Sequence, residues 1–315
     1  MAKVSVIIPT YNCAQYINRA IDSVLDQTFK DVEIIVVDDG STDDTYEKIR
    51  RWVGSNRIRY LYQSNRGCGA ARNYGISNSG GKYIAFLDAD DKWLPGMLSR
   101  CLAVIEKDRC DLVSTDNYIV YLREGKEIKS EIQSYEWIEK TPEELFLTFL
   151  EVGGIGSPEK AVFKREIFDE VGLFDASLPV YEDLDLWIRI AKYGFTWRHI
   201  REPLVIYHKG VEGSLFSTSS QRNQECRLKI LKKHKKETIK KYPYFKEVYA
   251  KLLWNFGRSY ALDYKAYRKA LLCFLDSMRT HLSVGRVAKS AYSLLGSLIY
   301  RGIRSDPLVR SGNIK

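Results

Sequence analysis

Val4-Ser5-Val6-Ile7-Ile8-Pro9-Thr10-Tyr11-Asn12 opens with a nearly unbroken β-branched run that gives way, from Pro9, to polar residues. A strand apolar on both faces belongs to a parallel sheet covered by helices on both sides. Similar runs recur at Glu33–Val37, Ile58–Tyr62 and Tyr83–Leu87, with helix-period segments between them. In the first segment Ile17, Ile21, Val24 and Leu25 share one helical face. In the second, Ser41 with Asp44 makes a capping signal ahead of Tyr46, Ile49, Trp52 and Val53. Strand alternating with helix predicts right-handed crossovers and a doubly wound α/β sheet. Further along, a hairpin is predicted across Arg123-Glu124-Gly125-Lys126, with helices near Pro142–Leu150 and Leu184–Tyr193. All of these are assigned to one domain, residues 1–215.

The 315 residues are 45% hydrophobic and 28% charged, which excludes disordered, collagen-like and disulfide-scaffold chains. There is no apolar run of about 18 residues, the length a spanning helix needs, and the N-terminus lacks a signal peptide's apolar region and cleavage site. The expectation is a cytoplasmic chain. Six cysteines without a C-x-x-C pair, and no histidine at zinc-ligand spacing, read as reduced thiols, mostly in the core. The net charge of +9 is uneven: residues 221–315 carry 22 Lys and Arg against 6 Asp and Glu, leaving −7 for residues 1–220. A second, basic and helical region is therefore assigned to residues 216–315.

In open parallel sheets ligands bind beyond the carboxyl ends of the strands. Here Pro9-Thr10-Tyr11-Asn12, Asp38-Asp39-Gly40-Ser41 and Asp88-Ala89-Asp90-Asp91 follow three of the strands. Their carboxylates, converging on one edge, repel one another unless a divalent cation or a hydrogen-bonding ligand is present. An acidic pair alone also serves as a helix cap or a solvated turn. Asn65-Arg66-Gly67-Cys68-Gly69-Ala70-Ala71-Arg72-Asn73 adds a glycine-containing turn opening a helix, whose amides and guanidinium suit a phosphate or a base edge. An ordinary turn with a surface arginine is the alternative.

Together with Val171-Gly172-x-Phe174-Asp175 and Glu182-Asp183-x-Asp185-Leu186-Trp187, these blocks resemble a family 2 glycosyltransferase over roughly residues 3–210. The resemblance implies a GT-A fold, a Rossmann-like doubly wound mixed sheet, followed here by a C-terminal α-helical segment. It implies inverting transfer of a sugar from a nucleotide diphosphate sugar, with Mn²⁺ or Mg²⁺ as cofactor and a UDP-sugar as the expected donor. Carried over by position, Pro9, Thr10, Tyr11 and Ala89 line the nucleotide, Asp39 meets the base, and Arg72 holds base or phosphate. Asp88 contacts the ribose side, Asp90 binds the metal, and Asp183 is the catalytic base. Glu182, His208 and Gly156 are candidate donor or acceptor contacts. His208 stands where relatives commonly have arginine, and Gly153-Gly154-x-Gly156-Ser157-Pro158 resembles the acceptor-side turn. Trp187, at helical spacing with Leu186 and Ile190, reads as core.

The expected acceptor is a saccharide or lipid-linked molecule in surface glycan assembly. The basic residues Lys232-Lys233-His234-Lys235-Lys236 and Lys240-Lys241, with Tyr242, Tyr244 and Tyr249, read either as a peripheral contact with an anionic membrane face or as a solvated helix. A nucleic-acid partner is not expected, since no such motif accompanies the charge. Further along, Tyr267, Ala270, Leu271, Phe274 and Met278 form one apolar stripe, and Val284, Val287, Ala291, Leu295 and Leu298 another. Two other functions remain open: a nucleotidyltransferase using the same acidic site, which would not need Glu182-Asp183, and a non-catalytic basic adaptor.

Overall fold

The computed structural model describes residues 3–53, 58–124, 126–135, 140–152, 156–210, 220–243, 245–263 and 265–280. Gly125, Gly153-Gly154, Val211-Glu212-Gly213-Ser214, Tyr244 and the stripe Val284–Leu298 lie outside them. The chain forms two compact units, Met1–Thr218 and Ser219–Lys315.

The first unit is built on strands β1 (Val4–Thr10), β2 (Val32–Asp38), β3 (Ile58–Tyr62), β4 (Tyr83–Phe86), β5 (Lys92–Trp93), β6 (Leu112–Arg123), β7 (Lys126–Gln133), β8 (Ala161–Lys164) and β9 (Trp197–Lys209). Helices α1 (Ile17–Leu25), α2 (Thr45–Ile49), α3 (Cys68–Ser77), α4 (Met97–Asp108), α5 (Pro142–Val152), α6 (Glu166–Val171) and α7 (Glu182–Tyr193) connect them. The sheet order is β3-β2-β1-β4-β8-β6-β9-β5, with β7 paired to β6. β1 runs parallel to β2 and β4, and β2 to β3, while β8 is antiparallel to both β4 and β6. The parallel half thus carries the ends of β1, β2 and β4 to one edge, where the motif residues lie. Every residue of β1 is buried. Val4, Val6 and Ile8 pack in a core shared with Ile17, Ile21 and Val24 of α1. Ile7 faces the other way, toward α3, where a Cβ on Gly75 would come within 2.4 Å of its Cγ2. Only glycine lets α3 lie this close to β1, and that approach places the α3 N-terminus beside the motif edge.

Two local readings need correction. The second helix spans only Thr45–Ile49, so Trp52 and Val53 fall beyond it. Its N-cap residue is Asp44, whose side chain makes no cap bond; the preceding Asp43 accepts from the Thr45 amide at 3.0 Å, and Ser41 Oγ accepts from the Asn12 amide at 2.9 Å. The hairpin between β6 and β7 pairs Arg123 with Lys126. Trp187 is fully buried, stacked on Phe163 at 5.3 Å and donating from Nε1 to the Gly156 carbonyl at 2.9 Å. The six cysteines are free, four of them buried.

The second unit contains helices α8 (Ser220–Lys241), α9 (Phe245–Leu262) and α10 (Tyr267–Thr280). On α8, Leu231, His234 and Thr238 are buried, while Lys232, Lys233, Lys236 and Lys240 are exposed along one stripe. Tyr249 is fully buried and belongs to the packing, not to a basic aromatic surface. Of the apolar stripe expected on α10, Ala270 and Phe274 face inward, joined by Cys273 and Ser277, whereas Tyr267 and Leu271 are exposed. Gly257 of α9 makes room for the Phe274 ring, which a Cβ there would meet at 2.6 Å. Among the described residues, no helix is long and apolar enough to cross a membrane.

Candidate active site

At the end of β1, Pro9 and Thr10 are buried and Tyr11 is 47% exposed, so Tyr11 is the residue here that a ligand reaches first. Asn12 takes a left-handed conformation, φ 52°, which asparagine tolerates, and its Oδ1 accepts from the Thr42 amide at 2.8 Å. These contacts tie the loop after β1 to the loop after β2. Asp39 organises the third loop. Its Oδ1 accepts from the Arg66 amide at 2.8 Å and from Gln63 Nε2 at 2.6 Å, and its Oδ2 accepts from the Gly67 amide at 2.8 Å. With Gly67 at φ 91°, the carboxylate is the template on which the Gln63–Gly67 turn is wound. The structure thus gives Asp39 a loop-holding role beside the base contact expected of it.

Arg72, one turn into α3, is turned inward and 3% exposed. Its Nη1 donates to Glu182 Oε1 at 2.6 Å and its Nη2 to Asp88 Oδ1 at 2.8 Å. One guanidinium thereby joins three chain segments: α3, the loop after β4, and the start of α7. Asp88 Oδ2 is filled as well, accepting from Ser157 Oγ at 2.9 Å. A planar fork suits this double task better than an ammonium.

Glu182 and Asp183 lie in the first turn of α7, two residues earlier than the helix was expected to begin. Acidic side chains are favoured there by the helix dipole. Tyr181, just before, sits at φ 64°, a left-handed turn that brings the chain sharply into the helix. Asp183 remains partly exposed; its Oδ1 accepts from the Leu184 amide at 2.7 Å, and among the described residues its Oδ2 has no bond. Desolvation and the neighbouring Glu182 push its carboxyl up to about 7, against the opposing pull of Arg72. A carboxyl held there is half ionised near neutrality and so suited to accept a proton.

Beyond β4 the chain turns tightly, Asp91 N donating to Asp88 O at 3.1 Å. Asp88 and Asp90 are half-buried, while Asp91 is fully buried. Burial, with Asp88 nearby, raises Asp90 to about 6. Burial pushes up both Asp91 and the 1%-exposed Glu159; Glu159 holds Asp91 down against the upward push of Asp90 and Asp88, whereas Asp91 raises Glu159, and Asp91 Oδ2 and Glu159 Oε2 are buried without a hydrogen-bond partner. Asp88, Asp91 and Glu159 offer carboxylate oxygens within 4.8 Å of one another; Asp90, the expected metal ligand, stands beside this cluster and is not part of it. His208, near the end of β9, is 5% exposed, and its amide donates to Asp91 Oδ1 at 2.7 Å. Burial, then Arg19 and Lys92, lower His208 to about 4, so the ring is neutral at pH 7. Gly156 lies at φ 79° in the turn that presents Ser157 to Asp88.

The structure therefore brings Arg72, Asp88, Glu182 and Asp183 together, with Asp90 and His208 joined to them through Asp91. Ser157 belongs to the turn expected on the acceptor side, whereas two further residues that meet this site had no signal of their own in the sequence. Glu159 sits in an irregular segment, and Arg19 reads as a solvated residue on a helix. Arg19 Nη2 donates to the Asp90 carbonyl at 2.5 Å and lies 3.3 Å from His208 Nδ1.

The model of glycosyl transferase family 2 matches residues 5–172, more than half of the chain, and the chain belongs to that family. An uncharacterized glycosyltransferase of Rickettsia conorii is 34% identical over 227 residues, covering 71% of this chain and 36% of that protein. Chondroitin synthase of Escherichia coli is 30% identical over 247 residues, 76% of this chain and 34% of the synthase. The chain thus spans about a third of the length of these two relatives. Among solved structures, residues 1–349 of S. aureus TarS with UDP-GlcNAc superpose with a TM-score of 0.59 at 18% identity, over 88% of this chain and 89% of that one. The Pyrobaculum calidifontis mannosyltransferase PcManGT, with GDP-Man and Mn²⁺, gives a TM-score of 0.56 at 21% identity, over 98% of this chain and 84% of that one. The fold is accordingly GT-A.

Proposed function

We propose that the chain is an inverting, metal-dependent glycosyltransferase that moves a sugar from a nucleotide diphosphate sugar to a saccharide or lipid-linked acceptor. The observation that carries this is the Arg72 bridge, which holds the acidic loop after β4 and the first turn of α7 in one rigid arrangement. Support comes from neighbours of the same fold that bind UDP-GlcNAc and GDP-Man, one of them with Mn²⁺.

Asp183 Oδ2 takes the proton of the acceptor hydroxyl as that oxygen bonds to the anomeric carbon. The bond from that carbon to the diphosphate oxygen breaks on the opposite face, and nucleoside diphosphate leaves. A single base on the acceptor side is what inversion requires. The residues present fit a divalent cation: the donor set is hard oxygen, and clustered carboxylates are pushed up by one another's charge. Mg²⁺ or Mn²⁺ shares its coordination sphere with water and phosphate, so partly exposed Asp90, with Asp88 beside it, is the better holder. Asp91 and Glu159, sealed from solvent, brace the loop behind them. When bound, the cation supplies Lewis-acid neutralisation of the leaving diphosphate.

The test is proton NMR of a slow donor hydrolysis, with sugar nucleotides of α configuration, in the presence of Mn²⁺. The expected products are nucleoside diphosphate and, before mutarotation, the β-sugar. A first-formed α-sugar overturns inversion. Sugar phosphate with nucleoside monophosphate, from attack on a phosphorus atom, points instead to phosphoryl or nucleotidyl transfer.

A further inference from the structure

We infer that Arg19 of α1 binds the diphosphate of the sugar nucleotide, an assignment that rests on the donor reading above. Its guanidinium is half-buried beside the acidic loop. Arginine has five N–H donors and no acceptor. Nη2 donates to the Asp90 carbonyl at 2.5 Å and lies 3.3 Å from His208 Nδ1. His208 Nδ1 also lies 3.4 Å from Asp91 Oδ1. Tyr16 lies under the guanidinium at 5.5 Å.

These contacts fix the plane of the group, and the Asp91 and Asp90 carboxylates act on its charge only from beyond ion-pair distance. Among the described residues no carboxylate lies within ion-pair distance of it, and Nη1 has no partner. Nε is buried and unpartnered. A half-buried cation bonded to a backbone carbonyl, with no ion-pair partner and one edge of its fork unused, is arranged for an anion that arrives from outside. Its place against Asp90 and His208 determines which anion. A divalent cation held by Asp90 would neutralise the diphosphate and not the base, and Arg19 is bonded to the same residue's carbonyl. Arg72, the arginine expected at the base or the phosphates, is spent on Asp88 and Glu182. Arg19 fills the role that this leaves vacant.

The assignment separates diphosphate from monophosphate. Calorimetric titrations with UDP and UMP, and with GDP and GMP, each with Mn²⁺, would be run on the full chain as wild type, Arg19→Gln and Arg19→Lys. Arg19→Gln is expected to weaken whichever diphosphate binds by about tenfold, the size of one charge-assisted hydrogen bond, and to leave the matching monophosphate within about twofold. Arg19→Lys, which keeps the charge and loses the fork, should recover part of the difference. Equal weakening of both nucleotides would show that Arg19 only props the Asp90 loop, and an unchanged diphosphate affinity would show that it does not reach the ligand. Either result overturns the assignment while the donor reading stands. A wild-type chain that binds neither diphosphate overturns both.

Discussion

Asp183→Asn is expected to slow sugar transfer by a factor of about 10² to 10⁴, the usual contribution of a positioned general base, while leaving sugar-nucleotide affinity nearly unchanged. The amide keeps the shape of the side chain and its bond from the Leu184 amide, but it has no basic oxygen for the acceptor's proton. In the wild type, kcat/KM should rise with pH through about 7, because Asp183 works only when ionised and its carboxyl is raised to about 7 by burial and by Glu182. The same raised value sets the sign of a stability effect. A folded-state carboxyl that holds its proton more tightly than the unfolded chain contributes stability below its unfolded value and loses it as pH rises through the folded one. Asp183→Asn should therefore be at least as stable as the wild type above pH about 7. Steady-state kinetics and urea unfolding at two pH values check both parts. Loss of donor affinity equal to the loss of rate would mean that Asp183 binds substrate and is not the base.

Arg72→Gln should be the most damaging substitution to the fold of the site. It leaves Asp88 and Glu182 near each other without their shared cation, and breaking one partner out of a buried ion network typically costs about 3 to 5 kcal/mol. Glutamine can donate to one of the two carboxylates at most. Because Arg72 pulls the Asp183 carboxyl down, its removal should also move the acid limb of the pH profile upward. Urea unfolding with a pH–rate profile measures both. A stable variant with an unmoved limb and weaker nucleotide binding would return Arg72 to the phosphate role that its place in the sequence suggested.

Why that role was the natural expectation is instructive. The four parallel strands were legible because β-branched runs apolar on both faces have few other uses, and α1 because its apolar spacing is regular. The position of the acidic motifs beyond the strand ends followed from the same pattern. Arg72 opens a glycine-initiated helix, and nothing local shows that its fork turns inward. Glu182, one of its partners, lies 110 residues away along the chain. Arg19 was missed for the same reason: its contacts, to Asp90 and His208, exist only once β4 and β9 lie in one sheet. On α2, Asp44 is the N-cap as expected, but Ser41 is bonded to Asn12, a contact between two loops that a helix-capping pattern does not register. On α10 the apolar stripe was legible at Ala270 and Phe274 and misled at Tyr267 and Leu271, where the inward face instead takes Cys273 and Ser277.

The donor site itself is best tested by thermal unfolding with UDP, GDP, CDP, ADP and dTDP, each with Mn²⁺, with Mg²⁺ and with EDTA, on wild type and Asp90→Ala. Ligand at about a hundred times its Kd should stabilise the chain by roughly 2.7 kcal/mol. The expected result is that one nucleotide stabilises the wild type only when the metal is present, and that Asp90→Ala abolishes the effect. Stabilisation by no nucleotide, or stabilisation indifferent both to EDTA and to Asp90→Ala, would contradict a metal-dependent sugar-nucleotide site at this edge of the sheet.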